Sequence, residues 1–380
     1  MIIEAERIQF IREYYFSKKL REISEMIRQG LDIINLGIGS PDLPPAQEII
    51  STLQETASLT TSHGYQSYRG TDELRQAFAH FYKKYYRTSL NPKTQILPLT
   101  GSKEGIMHLS MAFINPGDSV LIPDPGYMTY TSATLLAGGT PVYYDLTPEN
   151  EYLPDFDELE KLDLQKAKIM WVNYPHMPTG AKATSELFRN LAEFGKKHNI
   201  LIVNDNPYSF ILNENPMSLL SFSTDFEYIM ELNSLSKSHN MAGWRIGMLA
   251  GKKDYIDAVM KFKSNMDSGM FLGLQKAAIT ALNMDKQWFD QQNKIYKERK
   301  TIAIKIYNKL KIRYNPEQNG MFLWGKLPGG ITSEVFTDKL LKEKNIFLAP
   351  GFIFGKNGKE YVRLSLTNST EDLTKALNRL

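Results

Sequence analysis

Lys237 sits in the run Ser234-Leu235-Ser236-Lys237-Ser238, after an apolar stretch that reads as a buried strand and ahead of Gly243-Trp244-Arg245-Ile246-Gly247. An amine held at a strand end among small residues suits attack on a carbonyl to form a Schiff base, because small neighbours leave room for the carbonyl partner. An ordinary surface lysine fits the same residue. Asp205 closes the run Leu201-Ile202-Val203-Asn204, with Tyr208 three residues on. Ligands of open α/β sheets bind beyond the carboxyl ends of strands, so an acid there is placed for function; a turn-forming aspartate fits as well. Thr100-Gly101-Ser102-Lys103-Glu104-Gly105 joins a strand to a helix. Small residues at a helix start expose N–H groups and Lys103 adds charge, which suits a phosphate, although Ser102 also fits a plain helix cap. Arg363 alternates with Val362 and Leu364 on an apolar strand, an awkward place for a cation unless a carboxylate meets it.

These residues need a scaffold that gathers strand ends. From about residue 94 short β-rich runs alternate with amphipathic stretches, which predicts parallel strands joined by crossover helices. Strands are expected at 95–100, 119–123, 141–146, 168–173, 201–204, 228–232 and 245–250. After residue 252 the pattern changes to long helices over 253–262 and 286–311. Residues 312–380 then hold a helix over 333–344 and strands near 322–324, 346–349 and 361–366. The first 30 residues read as one helix and a polar arm, too short to fold alone, packing on the C-terminal unit or on a partner subunit. The expected division is a large α/β domain over 45–280 and a small α+β domain built from 1–44 and 281–380.

Composition narrows the function classes. The 45 Lys plus Arg against 42 Asp plus Glu leave a net charge of +3, which indicates no nucleic-acid or membrane partner. At 42% hydrophobic and 11% aromatic residues, disordered and collagen-like classes are excluded. With no cysteine there is no disulfide, thiolate metal site or cysteine nucleophile, which fits a cytoplasmic location. His63, His80, His108, His176, His198 and His239 show no zinc-like spacing, so no metal centre is expected. Glu4, Glu6 and Arg7 break the N-terminal apolar run, so no export signal is expected. The uncharged stretch 125–144 is broken by Gly138, Gly139 and Pro141 and reads as helix, turn and strand rather than a membrane span.

Together these motifs resemble the pyridoxal-phosphate (PLP) aminotransferases of class I, fold type I. The resemblance covers nearly the whole chain, adding Asn35 to Asp42, Tyr65 to Gly70, Asp124-Pro125-Gly126-Tyr127, Asn173 to Gly180, Ala349-Pro350-Gly351 and Tyr361 to Ser365, in the family's order. It implies a three-layer α/β fold with a mostly parallel central sheet plus a smaller α+β domain. The implied activity moves the amino group of an L-amino acid to a 2-oxo acid, 2-oxoglutarate by family habit, in ping-pong half-reactions. By this resemblance Lys237 is the amine that binds the cofactor and the base that moves the Cα proton, and Asp205 pairs with the pyridine nitrogen. Tyr127 stacks on the ring and Tyr208 bonds its hydroxyl beside Asn173. Gly101, Ser102, Lys103, Ser234 and Arg245 hold the phosphate. Arg363 clamps the substrate α-carboxylate with a backbone N–H near Gly39. Tyr65 reaches the neighbouring subunit's phosphate, which implies a homodimer with composite sites. Plain aromatic packing fits Tyr65, Tyr127 and Tyr208 too.

Two departures stand out. Met177, in His176-Met177-Pro178-Thr179-Gly180, replaces the asparagine that in this family commonly bonds the ring hydroxyl. A thioether cannot donate, so that bond weakens unless Asn173, His176 or water substitutes. Asn206 follows Asp205 where relatives commonly carry glutamate. The segment Lys263 to Phe271 is similar to one in LL-diaminopimelate aminotransferases and in some alanine or aromatic relatives, and no second arginine marks a dicarboxylate side chain. A C–S β-lyase on the same fold is the main alternative. A non-catalytic ligand-binding module is a weaker one, since the residues before Gly30 are too few for a helix-turn-helix domain. A nucleotide-binding Rossmann protein is disfavoured because Gly37-Ile38-Gly39 runs into Ser40-Pro41-Asp42 instead of opening a helix.

Overall fold

The computed structural model describes residues 2–11 and 13–380. Seven strands form the main sheet: β1 (Ile96–Leu99), β2 (Ser119–Asp124), β3 (Thr140–Asp145), β4 (Ala167–Val172), β5 (Leu201–Asp205), β6 (Ile229–Ser234) and β7 (Gly247–Gly251). Their spatial order is β1-β7-β6-β5-β4-β2-β3. Only β7 runs against the rest. The carboxyl ends of the six parallel strands therefore share one edge with the start of β7.

These segments are strands because both faces are covered. Leu121, Met170 and Ile202 lie in register on one face, while Ile169, Trp171 and Val203 point to the other, and all are buried. Continuous apolar runs are the signature of such doubly covered strands. Helices pack on both faces. Thr71 caps the helix Asp72–Tyr86 by accepting from the Leu74 N–H at 3.2 Å, and Thr184 caps Ser185–His198 through Leu187 at 3.0 Å. Spacings of three and four turn Leu74, Phe78, Phe81 and Tyr82 inward.

A second sheet holds four short antiparallel strands, of which Phe322–Lys326 and Tyr361–Ser365 pair most extensively, with Trp324 opposite Arg363. The N-terminal helix Tyr15–Arg28 joins this unit. Phe16 and Ile23 enter the same cluster as Leu323, Val362 and Leu364, Lys19 Nζ meets Asp338 at 3.0 Å, and Ile34–Asn35 pairs in parallel with Ile346–Phe347. Both chain ends thus contribute to one apolar core. None of the described helices is long and apolar enough to cross a membrane.

The expected strand 346–349 is two, Ile346–Phe347 and Ala349–Pro350, in different sheets, and the start of the seventh strand also differs from the sequence pattern. The pattern carries the seventh strand back to residue 245, but β7 starts at Gly247 and Arg245 is left-handed (φ 56°, ψ 60°) after the turn Ala242–Trp244. That conformation brings the guanidinium to the shared edge, where it lines the cavity described next.

Candidate active site

A cavity of about 740 Å³ opens where that edge meets the N-terminal helix and the second sheet. Ser234 ends β6, and its Oγ accepts from the Ser236 N–H at 3.2 Å, which starts the one-turn helix Leu235–Ser238 that carries Lys237. Lys237 Nζ donates to the Gly39 carbonyl at 2.6 Å. Burial, with Arg363 and Arg245 adding like charge, lowers this amine to about 8.

Asp205 ends β5. Its Oδ2 accepts from the Tyr130 hydroxyl at 3.1 Å, while Oδ1 is buried without a partner. Burial pushes the carboxyl up to about 7, against the lowering influence of the Tyr130 and Ser102 hydroxyls. Tyr130 is held flat on Trp171, with centroids 4.9 Å apart. A buried carboxylate oxygen left unpaired on a cavity wall calls for a donor from a ligand. Tyr127 and Tyr208 line the same cavity, and burial raises both phenols.

Gly101 precedes the helix Ser102–Phe113 at φ 85°, and a Cβ there would come 2.2 Å from Arg245 Nη2. Only glycine lets the guanidinium pack so close to the helix start. Arg245 Nη1 donates to the Ala242 carbonyl at 2.8 Å. Lys103 stands 5.2 Å from the Tyr14 ring centroid, and burial and then Arg245 lower its ammonium. Ser234 Oγ donates to Ser236 Oγ at 2.9 Å. The cradle is cationic, at a helix start, and suited to a phosphate.

Arg363 is fully enclosed. Nη2 donates to the Gly37 carbonyl at 2.8 Å, Nη1 points at Met177 Sδ at 3.3 Å, and Nε has no partner. The rings of Phe322 and Phe354 lie 4.0 and 4.8 Å from its guanidinium carbon, with Phe16 at 5.7 Å. No acid among the described residues acts on it, and burial lowers its pKa to about 10. A desolvated guanidinium without a carboxylate is costly in a folded chain unless a ligand supplies the anion.

The structure thus brings Ser102, Lys103, Tyr127, Asn173, Asp205, Tyr208, Ser234, Lys237, Arg245, Gly39 and Arg363 to one cavity, with Gly101 packed under Arg245. Tyr65 is not there: it stands 96% exposed on the surface. Asn173 lines the wall, with one amide N–H donating to the Asp205 carbonyl and its oxygen accepting from the Met177 N–H at 2.8 Å. His176 turns to Thr179 Oγ1 at 2.7 Å. Asn173 keeps a second amide N–H. Asn206 bonds the Met217 carbonyl at 3.0 Å and the buried Glu231 at 3.3 Å, so it braces the β5 end.

Sequence reasoning missed Tyr130 and the phenylalanine box. The signal for Tyr130 was its place three residues after Tyr127, one helical turn along. Apart from the cavity, Glu104, His108 and Asp267 cluster closely, but Lys263 Nζ lies 2.6 Å from Asp267 and 3.7 Å from Glu104 and already supplies the cation.

The cavity offers a low-pKa amine for a carbonyl, an unpaired buried carboxyl for a ring nitrogen, a cationic cradle for a phosphate and a lone arginine for a carboxylate. That donor set fits pyridoxal phosphate together with an amino acid. Residues 31–380 match the family model for aminotransferase class I and II. The LL-diaminopimelate aminotransferase of Aquifex aeolicus is 40% identical over 99% of this chain and 98% of its own. Among solved structures, substrate-bound BacF from Bacillus subtilis superposes with TM-score 0.95 at 36% identity, covering 100% of this chain and 97% of that one. An aminotransferase from Staphylococcus aureus gives 0.91 at 33%, covering 99% and 98%. With such matches over its whole length and a site to suit, the chain belongs to the class I and II aminotransferases, enzymes that transfer amino groups with pyridoxal phosphate.

Proposed function

We propose that the enzyme takes the amino group of an L-amino acid and passes it to 2-oxoglutarate, as a cytoplasmic homodimer, in two half-reactions at the cavity just described. The observation that carries the reading is Arg363, a buried guanidinium with no acid partner that shares its cavity with Lys237 and Asp205. It awaits a carboxylate, and the α-carboxylate is the one group that every amino acid and every 2-oxo acid brings. When bound, pyridoxal phosphate supplies a carbonyl carbon for amines and a pyridinium ring that takes up electron density from Cα.

The chain's own residues do the rest. Lys237 Nζ would hold the cofactor's carbonyl carbon and, once freed by the substrate amine, would carry the proton between Cα and that carbon, two bonds away. Asp205 holds a proton on the ring nitrogen, oriented by the Tyr130 hydroxyl on its other oxygen. Tyr127 covers the ring and Tyr208 donates to its hydroxyl, with Asn173 bracing the wall. Gly101, Ser102, Lys103, Ser234 and Arg245 hold the phosphate, and Gly39 borders the substrate carboxylate held by Arg363. The exposed Tyr65 fits delivery to a second subunit's site. We further propose that residues 45–280 form the cofactor domain, and that 1–44 with 281–380 form the domain that carries Arg363. The Aquifex relative's name offers one candidate donor, LL-diaminopimelate.

The test is to reduce the cofactor-loaded protein with borohydride and map the modified peptide. The label is expected on Lys237, and a label on another lysine overturns the reading. The reaction's pH dependence follows from burial. Only the neutral amine attacks a carbonyl, so trapping of the cofactor-free chain by an aldehyde is expected to rise with pH through a midpoint near 8, not near the 10.5 of an exposed lysine. A midpoint above 10 would contradict the buried environment of this amine.

Met177 makes a separate prediction. A donor to the ring hydroxyl stabilises its deprotonated form, so supplying one lowers the pH at which the bound cofactor's visible band changes. Met177→Asn is expected to shift that midpoint downward by about one pH unit. Equal midpoints would show that residue 177 does not act on the ring hydroxyl.

A further inference from the structure

Glu231 lies on β6 opposite Asn204 of β5, one residue short of Asp205. It is fully buried, and its hydrogen-bond partners include no cation. Its Oε1 accepts from the Tyr82 hydroxyl at 2.8 Å and from Asn206 Nδ2 at 3.3 Å, and its Oε2 accepts from Asn204 Nδ2 and from the Leu219 N–H, each at 2.9 Å. Other contacts fix the direction of these bonds. Asn204 Oδ1 accepts from the Tyr174 N–H at 3.1 Å, and Asn206 Nδ2 also donates to the Met217 carbonyl at 3.0 Å. The Tyr82 oxygen accepts from Asn233 Nδ2 at 3.3 Å, and the Asn233 oxygen in turn accepts from the Ser234 N–H at 2.8 Å. A proton on Glu231 would meet donors at both oxygens, so the side chain is a carboxylate anion. Burial raises its pKa, and donation by Asn204, Tyr82, Ser218 and Leu219 opposes that rise.

Resting on the aminotransferase reading, which commits Asp205 to the ring nitrogen, we infer that Glu231 is a positioning residue for Asp205: its buried anion ties down the residues on both sides of that acid, and its charge disfavours loss of the proton that Asp205 shares with the ring. A buried anion without a cation is costly in a folded chain, and here the cost falls directly behind the acid that the chemistry uses. The tie is geometric. Asn204 and Asn206 are the neighbours of Asp205 in the chain, and both amides donate to the one carboxylate. The charge works in the direction the ring requires. Burial is the main reason that the Asp205 carboxyl stands near 7, Tyr130 and Ser102 oppose it, and Glu231 adds to the rise. The other titratable groups around Glu231 are Tyr82 and Tyr86 of the helix Asp72–Tyr86, whose phenols burial and then Glu231 hold far above their usual value. They stay neutral while Asp205 titrates.

The experiment titrates Asp205 in the cofactor-free, full-length chain by NMR of carboxyl-labelled aspartate, with the signal identified by its loss in Asp205→Asn. The midpoint is expected near 7 in the unmodified chain and about one pH unit lower in Glu231→Gln. Glu231→Asp keeps the charge and is expected to recover most of that difference. Equal midpoints in the unmodified chain and Glu231→Gln, or the same fall in both variants, overturn the part played by the charge. They leave the aminotransferase reading intact, because that reading is tested at Lys237. With the cofactor loaded, Glu231→Gln is expected to lower kcat by about tenfold or more through a loosened Asp205, with KM for the amino donor within about twofold because Arg363 is untouched. Asn206→Ala cuts one tie and keeps both carboxylates, so it decides the point if Glu231→Gln does not fold. The same fall in kcat at constant KM is expected there, and an unchanged kcat in Asn206→Ala overturns the tie.

Discussion

Replacing Lys237 with alanine is expected to reduce transamination by at least about 10⁴-fold while the protein still folds and still binds pyridoxal phosphate non-covalently. The loss is large because one side chain has two tasks, covalent attachment and proton transfer at Cα, and proton transfer alone contributes roughly 10² to 10⁴-fold. Folding survives because the side chain's one hydrogen bond goes to the Gly39 carbonyl at the cavity wall. The cofactor is retained because Arg245 and the start of the helix Ser102–Phe113 are untouched. Turnover, melting temperature and cofactor content of the variant check all three statements. Wild-type turnover in Lys237→Ala would remove the basis of the proposed chemistry.

Arg363→Met is expected to separate stability from function. The guanidinium is buried among Phe16, Phe322 and Phe354 without an acid partner, and an uncompensated buried charge costs on the order of 3 kcal/mol. Methionine fills the same apolar box without that charge, so the ligand-free melting temperature is expected to hold or rise. The lost hydrogen bond to the Gly37 carbonyl limits the gain. Removing one partner of a buried charge pair typically costs 2–5 kcal/mol of binding, so kcat/KM for amino acids is expected to fall by roughly 10² to 10³-fold. A melting temperature that drops sharply with kcat/KM unchanged would show that Arg363 is structural.

The strands were legible because doubly covered parallel strands are apolar at every position, as in Ile169 to Val172 and Leu201 to Val203. Residues at strand ends were legible for the same reason: once β5 and β6 are located, Asp205 and Lys237 must face the same edge. Arg363 announced itself by interrupting an apolar alternation. The box around it did not, because Phe16, Phe322 and Phe354 meet it from three separate parts of the chain and each reads as an ordinary core residue. The helix Leu272–Leu282 was overlooked because its residues are mostly small or apolar, with Lys276 the one charge among them, which leaves no polar stripe to set a period. The commitment of Asn173 to backbone partners is a matter of local geometry, invisible in composition.

The central claim, that Lys237, Asp205 and Arg363 together perform amino transfer, is tested most directly by adding one L-amino acid to the cofactor-loaded protein with no 2-oxo acid present. The account predicts a single stoichiometric loss of the visible cofactor band, stable until 2-oxoglutarate is added and then fully restored. A band that returns unaided while pyruvate and ammonia accumulate would contradict it in favour of a C–S β-lyase, and a protein that acquires no visible band with pyridoxal phosphate would contradict it altogether.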